Sequence, residues 1–179
     1  MAFMIRPAVP ADLPALFAYL NDHLSDNGVG TTALFMPIPR SQSGFPREKE
    51  TNMRNGIRIA VGEAGWRRVW IAYAADGRIA GHVDLRARIE RVSKHRALLG
   101  MGVQRDFRRQ GLGAQLVAAA YEWAKGHGID WIDLDVLSVN RAAIELYLRC
   151  GFTVVGELRD MFRIDGESLG HTLMTREVL

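Results

Sequence analysis

Hydrophobic positions along this chain fall into two rhythms. Leu13, Leu16, Phe17 and Leu20 recur at helical spacing behind Asp12, a good N-cap residue, with Pro14 in the first turn. Leu112, Leu116, Ala119, Ala120 and Trp123 share one face of a second helix that ends at Gly126 or Gly128. Ala143, Ile144, Tyr147 and Leu148 share a face of a third, capped by Asn140, braced by Glu145 and Arg149, and stopped by Gly151. Strand-like runs begin at Ile5-Arg6 and continue at 69–74 and 79–85, joined through Asp76-Gly77, a hairpin signal. Residues 97–103 form another run, in which Gly100 and Gly102 suggest a bulge or a close backbone approach. In 131–137, Ile132, Leu134 and Val136 alternate with Asp133 and Asp135. Further strands are expected at 152–155, 159–164 and 169–175, the last two turning at Asp165-Gly166. From 26 to 55 the rhythm dissolves into glycines, Pro37, Pro39, Pro46 and isolated Phe35, Met36 and Phe45, which predicts a long functional or mobile loop. Antiparallel strands, a helix, a strand, a helix and more strands make a mixed α/β fold, read as a single domain over 1–179.

Composition narrows the class. Apolar residues make up 48% of the 179 positions and charged residues 24%, a globular profile able to build a core without disulfides or metal. Cys150 is the one cysteine, so no intrachain disulfide forms and a reducing compartment is expected. At the helix end beside Gly151 it reads as buried and inert. No apolar run approaches the roughly 20 residues that cross a bilayer, and the N-terminus lacks a signal-peptide pattern; a cytoplasmic protein without a membrane partner is expected. The net charge of +3 comes with scattered arginines, so no nucleic-acid partner is expected. No His, Cys and Asp cluster has metal-ligand spacing, and no metal is expected.

The chemistry concentrates at Arg108-Arg109-Gln110-Gly111-Leu112-Gly113, between a strand and a helix. Glycines there free backbone N–H groups, the helix start adds partial positive charge, and two arginines add formal charge, which together suit a di- or triphosphate. A Walker A loop is absent. A dinucleotide fingerprint, implying an NAD-binding oxidoreductase, would use Gly111-Leu112-Gly113 with Asp133 or Asp135 roughly 20 residues on. Its third glycine falls on Leu116, and the preceding strands read as hairpin-linked.

The loop resembles that of the GNAT superfamily of N-acetyltransferases, Gln/Arg-x-x-Gly-x-Gly/Ala, matched by Arg108, Gly111 and Gly113. Its setting from Val103 to Gly113, the later Leu134-Asp135-Val136, the block Asn140 to Tyr147 and Gly151-Phe152 extend the resemblance, as do Ile5-Arg6-Pro7-Ala8 and Asp12-Leu13 near the start. The resemblance implies a mostly antiparallel central sheet flanked by helices, with splayed fourth and fifth strands. It implies acetyl-CoA as cosubstrate and direct transfer to a primary amine, on a small molecule such as an amino acid or on a peptide N-terminus. Main-chain groups of Met101, Gly102 and Val103 would then meet the pantetheine arm. Arg108, Arg109, Gln110, Gly111, Leu112, Gly113 and Ala114 would hold the pyrophosphate, and Asn140 and Ala143 would face the cofactor.

Tyr147 would protonate the departing thiolate: a free tyrosine titrates near 10 against about 8.5 for a thiol, so it is protonated at neutral pH. Asp135 is the candidate base, with Asp133 its rival; some relatives carry a glutamate at Asp135's place. Simpler readings stand beside these: Asn140 as an N-cap alone, Tyr147 as a core aromatic, Asp135 as a solvated carboxylate, His82 and His95 as structural or surface residues. A catalytically silent acetyl-CoA-binding module is the alternative function, and a homodimer stays open.

Overall fold

Seven strands hydrogen-bond into one sheet in the computed structural model, which describes residues 3–42 and 44–179. They are β1 (Met4–Pro7), β2 (Arg67–Tyr73), β3 (Ile79–Ala87), β4 (Arg96–Val103), β5 (Trp131–Leu137), β6 (Thr153–Ile164) and β7 (Glu167–Glu177). Their spatial order is β1-β2-β3-β4-β5-β7-β6, and every pairing is antiparallel except β4 with β5. The helices are α1 (Leu13–Leu24), α2 (Arg47–Gly56), α3 (Leu112–Lys125) and α4 (Arg141–Arg149).

Alternation along the strands gives the sheet two apolar faces. Trp70, Val83, Leu85, Ala97, Leu99, Leu134 and Val136 pack with Leu112, Leu116, Val117 and Ala120 of α3 and Ile144 and Tyr147 of α4. On the opposite face Val69 and Ile71 meet Leu13, Leu16, Phe17 and Leu20 of α1 and Met53 of α2. The mixed, mostly antiparallel sheet flanked by helices is the expected architecture.

β4 and β5 run side by side only briefly. Arg96, Ala97 and Leu98 pair with Trp131, Ile132 and Asp133, and the ladder stops there. Beyond that point β4 keeps only β3, and β5 keeps only β7. This is the splay that the family resemblance implied. The Gln104 N–H donates to the Ala80 carbonyl at 2.9 Å, so strand alternation turns the main-chain groups of Met101 and Val103 away from β3, toward the gap.

Several expectations need correction. The β3–β4 register runs unbroken from Ala87↔Ala97 to Gly81↔Val103, so Gly100 and Gly102 form no bulge. Side chains crowd them instead: a Cβ on Gly100 would lie 2.7 Å from Asp84 Oδ2, and one on Gly102 would lie 2.5 Å from His23 Nε2. The segment from 26 to 55 is not all loop, because α2 occupies 47–56. With only Met53 and Gly56 buried on it, that helix had no apolar stripe to read. Asp12 does not cap α1 with its side chain; its carboxylate takes the Val9 N–H at 2.8 Å and the fork of Arg6. The two strands expected at 152–155 and 159–164 are one strand, β6, whose pairing with β7 shifts between Val154 and Gly156 and between Leu158 and Phe162. Asp165 (φ 50°) and Gly166 (φ 83°) close that hairpin with the two positive φ angles of a type I′ turn.

Leu116 is fully buried, and its Cδ1 would lie 3.0 Å from a Cβ on Gly81, so α3 is seated directly on β3. Leu116→Ala is expected to lower unfolding free energy by about 2–5 kcal/mol in urea denaturation. A loss under about 1 kcal/mol would contradict this packing.

Candidate active site

One end of the β4–β5 pair is clamped by charge. Asp133, its side chain 10% exposed, accepts from both nitrogens of an Arg96 fork (Nε at 2.8 Å), from Arg88 Nη1 at 2.9 Å and from the Thr175 hydroxyl at 2.7 Å. Burial works against the charged carboxylate, but the bonds from Arg96 and Thr175 outweigh it and hold Asp133 below the ordinary aspartate range. Asp133 therefore serves the sheet, and its lone pairs are occupied. Asp135, two residues on and on the same strand face, is exposed, and no side chain within hydrogen-bonding distance holds it among the described residues. It lines a cleft of about 420 Å³ with Arg88, Arg96, Asp133, Leu173 and Thr175.

At the other end of β4 the chain makes a short 3₁₀ turn, Arg105–Phe107, and then the predicted loop. Arg109 (φ 63°) and Gly111 (φ 78°) are both left-handed, and α3 starts at Leu112 with no side chain capping it. The next main-chain bond inside the helix is Gln115 N–H to the Gly111 carbonyl at 3.3 Å. From Arg109 through Ala114, no main-chain N–H finds an acceptor among the described residues. A row of unpaired N–H groups at a helix start is the electrostatic complement of phosphate oxygens.

The side chains of the loop divide their work. Arg108 is not free: Nη2 pairs with Asp26 at 2.6 Å and Nε donates to the Val103 carbonyl at 3.2 Å. Arg109 is exposed, and Gln110 donates to the Asp106 carbonyl. Gly113 has a packing reason to be glycine, since a Cβ there would lie 2.7 Å from Leu146 Cδ2 on α4.

Across the gap, Asn140 caps α4 by accepting from the Ala143 N–H at 3.3 Å. Ala143 is half-buried against the α3–α4 core. Tyr147, 8% exposed, stacks edge-on with Phe152 at 5.7 Å, and its hydroxyl has no hydrogen-bond partner among the described residues. Burial pushes its pKa up, so the hydroxyl holds its proton throughout the neutral range. Cys150 is half-buried, and burial raises its thiol pKa. His95 is exposed and contributes its carbonyl to the N–H groups of Asp130 and Trp131.

Sequence reasoning missed a buried polar cluster on the α1 face. Tyr19 donates its hydroxyl proton to the Gly102 carbonyl at 3.2 Å and lies 3.2 Å from His82 Nδ1. With its only proton on a carbonyl, the hydroxyl must accept from His82, which puts the histidine proton on Nδ1. His23 packs against Tyr19, Phe35 and His82, and its own Nδ1 is buried without a partner. Burial, and for His23 the neighbouring His82, lower the two histidines to about 3 (His23) and about 4 (His82). The available signal was spacing: His23 follows Leu16 and Leu20 on the buried stripe of α1.

Among the described residues, no helix is long and apolar enough to cross a membrane, and no group of three or more His, Cys, Asp and Glu could hold a metal ion. The sequence profile of the Acetyltransferase (GNAT) family matches residues 31–152. The chain is 29% identical over 174 residues to the L-methionine sulfoximine/L-methionine sulfone acetyltransferase of Pseudomonas aeruginosa, covering 97% of this chain and 94% of that protein. A GNAT-family acetyltransferase from Streptococcus pneumoniae superposes with a TM-score of 0.81 at 24% identity, over 99% of this chain and 100% of that one. The phosphinothricin acetyltransferase of Sinorhizobium meliloti, solved in complex with acetyl-CoA, gives 0.77 at 19% identity, over 99% of this chain and 89% of that one.

The histidine pair has a consequence for stability. Unfolded histidines titrate near 6.5, so between that pH and the lowered native values the unfolded chain binds more protons than the folded one. Stability is therefore complete above about pH 6.5 and declines as pH falls toward about 4. Urea denaturation at several pH values should show this decline, and His82→Gln should remove part of it, His23 keeping the rest. A wild-type profile that stays flat across the window would contradict a buried neutral pair.

Proposed function

The chain belongs to the Acetyltransferase (GNAT) family, and on that premise we propose that it transfers acetyl from acetyl-CoA directly to the primary amine of a small molecule of amino-acid type. It is an acyltransferase by family, and the curated relatives it matches are named acetyltransferases, an aminoglycoside N(6')-acetyltransferase of Klebsiella aerogenes among them. The observation that carries the reading is the juxtaposition at the end of β4: the strand parts from β5 after Leu98, and the loop that follows presents the unpaired N–H groups of Arg109 to Ala114. A thioester arm needs an unpaired strand edge, and a pyrophosphate needs a row of donors. Here one leads into the other.

In this reading the N–H groups of Arg109 to Ala114 take the pyrophosphate, assisted by the exposed Arg109. The outward main-chain groups of Met101 and Val103, with Gly102 between them, pair with the pantetheine arm along the gap. Asn140 and Ala143 form the opposite wall at the start of α4. The amine, once deprotonated, attacks the thioester carbonyl carbon; the Val103 N–H steadies the developing oxyanion, the C–N bond forms and the C–S bond breaks. Asp135 receives the amine proton through water, which its exposure admits. Tyr147, protonated throughout the neutral range, gives its proton to the thiolate as the C–S bond breaks. The amino-acid type of acceptor is supported by the named substrates of the Pseudomonas relative, which aligns over nearly the whole chain.

Acetyl-CoA and CoA, each at about 100 times its dissociation constant, should stabilise the native state by about 2.7 kcal/mol in thermal-shift measurements, while NAD should not. Stabilisation by NAD alone would refute the donor assignment. Tyr147→Phe should lower kcat roughly 10²-fold or more while acetyl-CoA affinity stays nearly unchanged. Wild-type turnover from that variant, with amine saturating and chemistry rate-limiting, would remove the acid role.

A further inference from the structure

A cluster of charged side chains lies on the α2 face of the sheet, beside the point where β4 leaves β5. Arg67 of β2 and Arg86 of β3 are direct cross-strand partners, an arrangement that repels unless something negative sits between them. The group between them is Asp84, its side chain 8% exposed. Both arginines reach the same oxygen: Arg67 Nε lies 3.3 Å and Arg86 Nη1 lies 3.1 Å from Asp84 Oδ1. Elsewhere this chain seats arginine forks on both oxygens of a carboxylate, as in Arg96 on Asp133, Arg6 on Asp12 and Arg163 on Asp160. Here two guanidinium groups crowd one oxygen, and neither is bidentate. Most of their N–H donors have no protein partner among the described residues and remain open to solvent, Arg86 with 35% of its side chain exposed and Arg67 with 17%.

A third cation comes from above. α2 rests on Arg67, since a Cβ on Gly56 would lie 3.0 Å from Arg67 Cβ, and the same helix carries the exposed Lys49. Lys49 makes no ion pair among the described residues. Although the residue as a whole is exposed, partial burial of its ammonium, then Arg86 and Arg67, hold it below the usual lysine range, against the opposing pull of Glu48. Burial and Arg86 likewise lower Arg67, with Asp84 opposing. The cluster would gain from a further negative charge.

Its position relative to the gap is set by Gly100, which pairs with Asp84. A Cβ on Gly100 would meet Asp84 Oδ2 at 2.7 Å and Arg86 Nη1 at 2.8 Å, so the missing side chain lets these groups lie over β4 itself. At about 3.3 Å per residue, Gly100 is about 3 Å from Met101 and about 10 Å from Val103 along the strand, so the cluster borders the start of the open arm of β4.

We propose that Arg86 and Arg67, with Lys49 above them, form the carboxylate-binding subsite for the acceptor, making the substrate an amine that carries a carboxylate. The proposal rests on the acetyl-transfer reading. A planar carboxylate fits the unengaged guanidinium forks, whereas a point anion would use one donor at a time. Asp84 holds the two arginines apart and aimed. Polyamines and aminoglycosides, which carry no carboxylate, would meet three cations here and be repelled.

The test compares an amino acid with its carboxamide, read by thiol release from acetyl-CoA. Wild-type kcat/KM is expected to favour the carboxylate by roughly 10- to 100-fold, mostly through KM, and Arg86→Gln is expected to collapse that ratio toward one. Lys49→Gln, on an exposed helix face, should reduce the ratio by a smaller factor. Calorimetry of CoA-saturated protein with the N-acetyl amino acid and its amide reads the same preference without turnover. Equal use of acid and amide by the wild type, or a ratio that survives Arg86→Gln, overturns the subsite while acetyl transfer stands. Preferential binding of the acid without any thiol release upholds the subsite and overturns the transfer reading instead.

Discussion

Asp133 joins three strands through one carboxylate. Arg96 approaches from β4, Arg88 from the end of β3, and Thr175 from β7, and all four groups meet where the parallel ladder of β4 and β5 ends. A buried carboxylate with two arginines on it is costly to disrupt, because removing one partner strands the others' charge away from water. The clamp therefore fixes the closed end of a wedge, and the strands are free to diverge beyond it. The edge of Met101 and Val103 that no strand pairs, the free N–H row and the cluster at Gly100 all lie along or follow the open arm of β4 that starts there.

Much of this frame was legible from residue pattern. The runs around 69–74, 79–85, 97–103 and 131–137 became β2 to β5, and the apolar stripes of α1 and α3 lie on buried faces because period 3.6 and period 2 leave different marks; on α4 only Ile144 and Tyr147 are buried, and Leu148 is exposed. The loop at Arg108 to Gly113 was legible because left-handed backbone and a free helix start demand particular residue types. What stayed hidden has physical causes. α2 buries only Met53 and Gly56, so no stripe announces it. Pairing partners distant in sequence, such as Arg108 with Asp26 or Arg67 with Asp84, leave no local trace. Gly100 and Gly102 were read as a bulge or a close backbone approach, whereas the atoms that crowd them belong to side chains of β3 and α1.

The two carboxylates of β5 show why position outweighs residue type. Asp133 and Asp135 share a strand face, yet one is held by two arginines and a threonine while the other meets water. Only an acid with its lone pairs free can accept a proton from a substrate. The sequence pattern could name both, and only the fold separates them.

The pair between Arg108 and Asp26 gives the molecule a property that neither residue has alone. Asp26 follows the end of α1, on the side where Tyr19 and His23 press against Gly102, and Arg108 opens the loop of unpaired N–H groups. Arg105 reaches the other oxygen of Asp26 at 3.4 Å, so two guanidinium groups tie the segment after α1 to the turn and loop that follow β4. An anion that drew Arg108 to itself would leave Asp26 on Arg105, and the segment would keep its anchor while the loop changed partners.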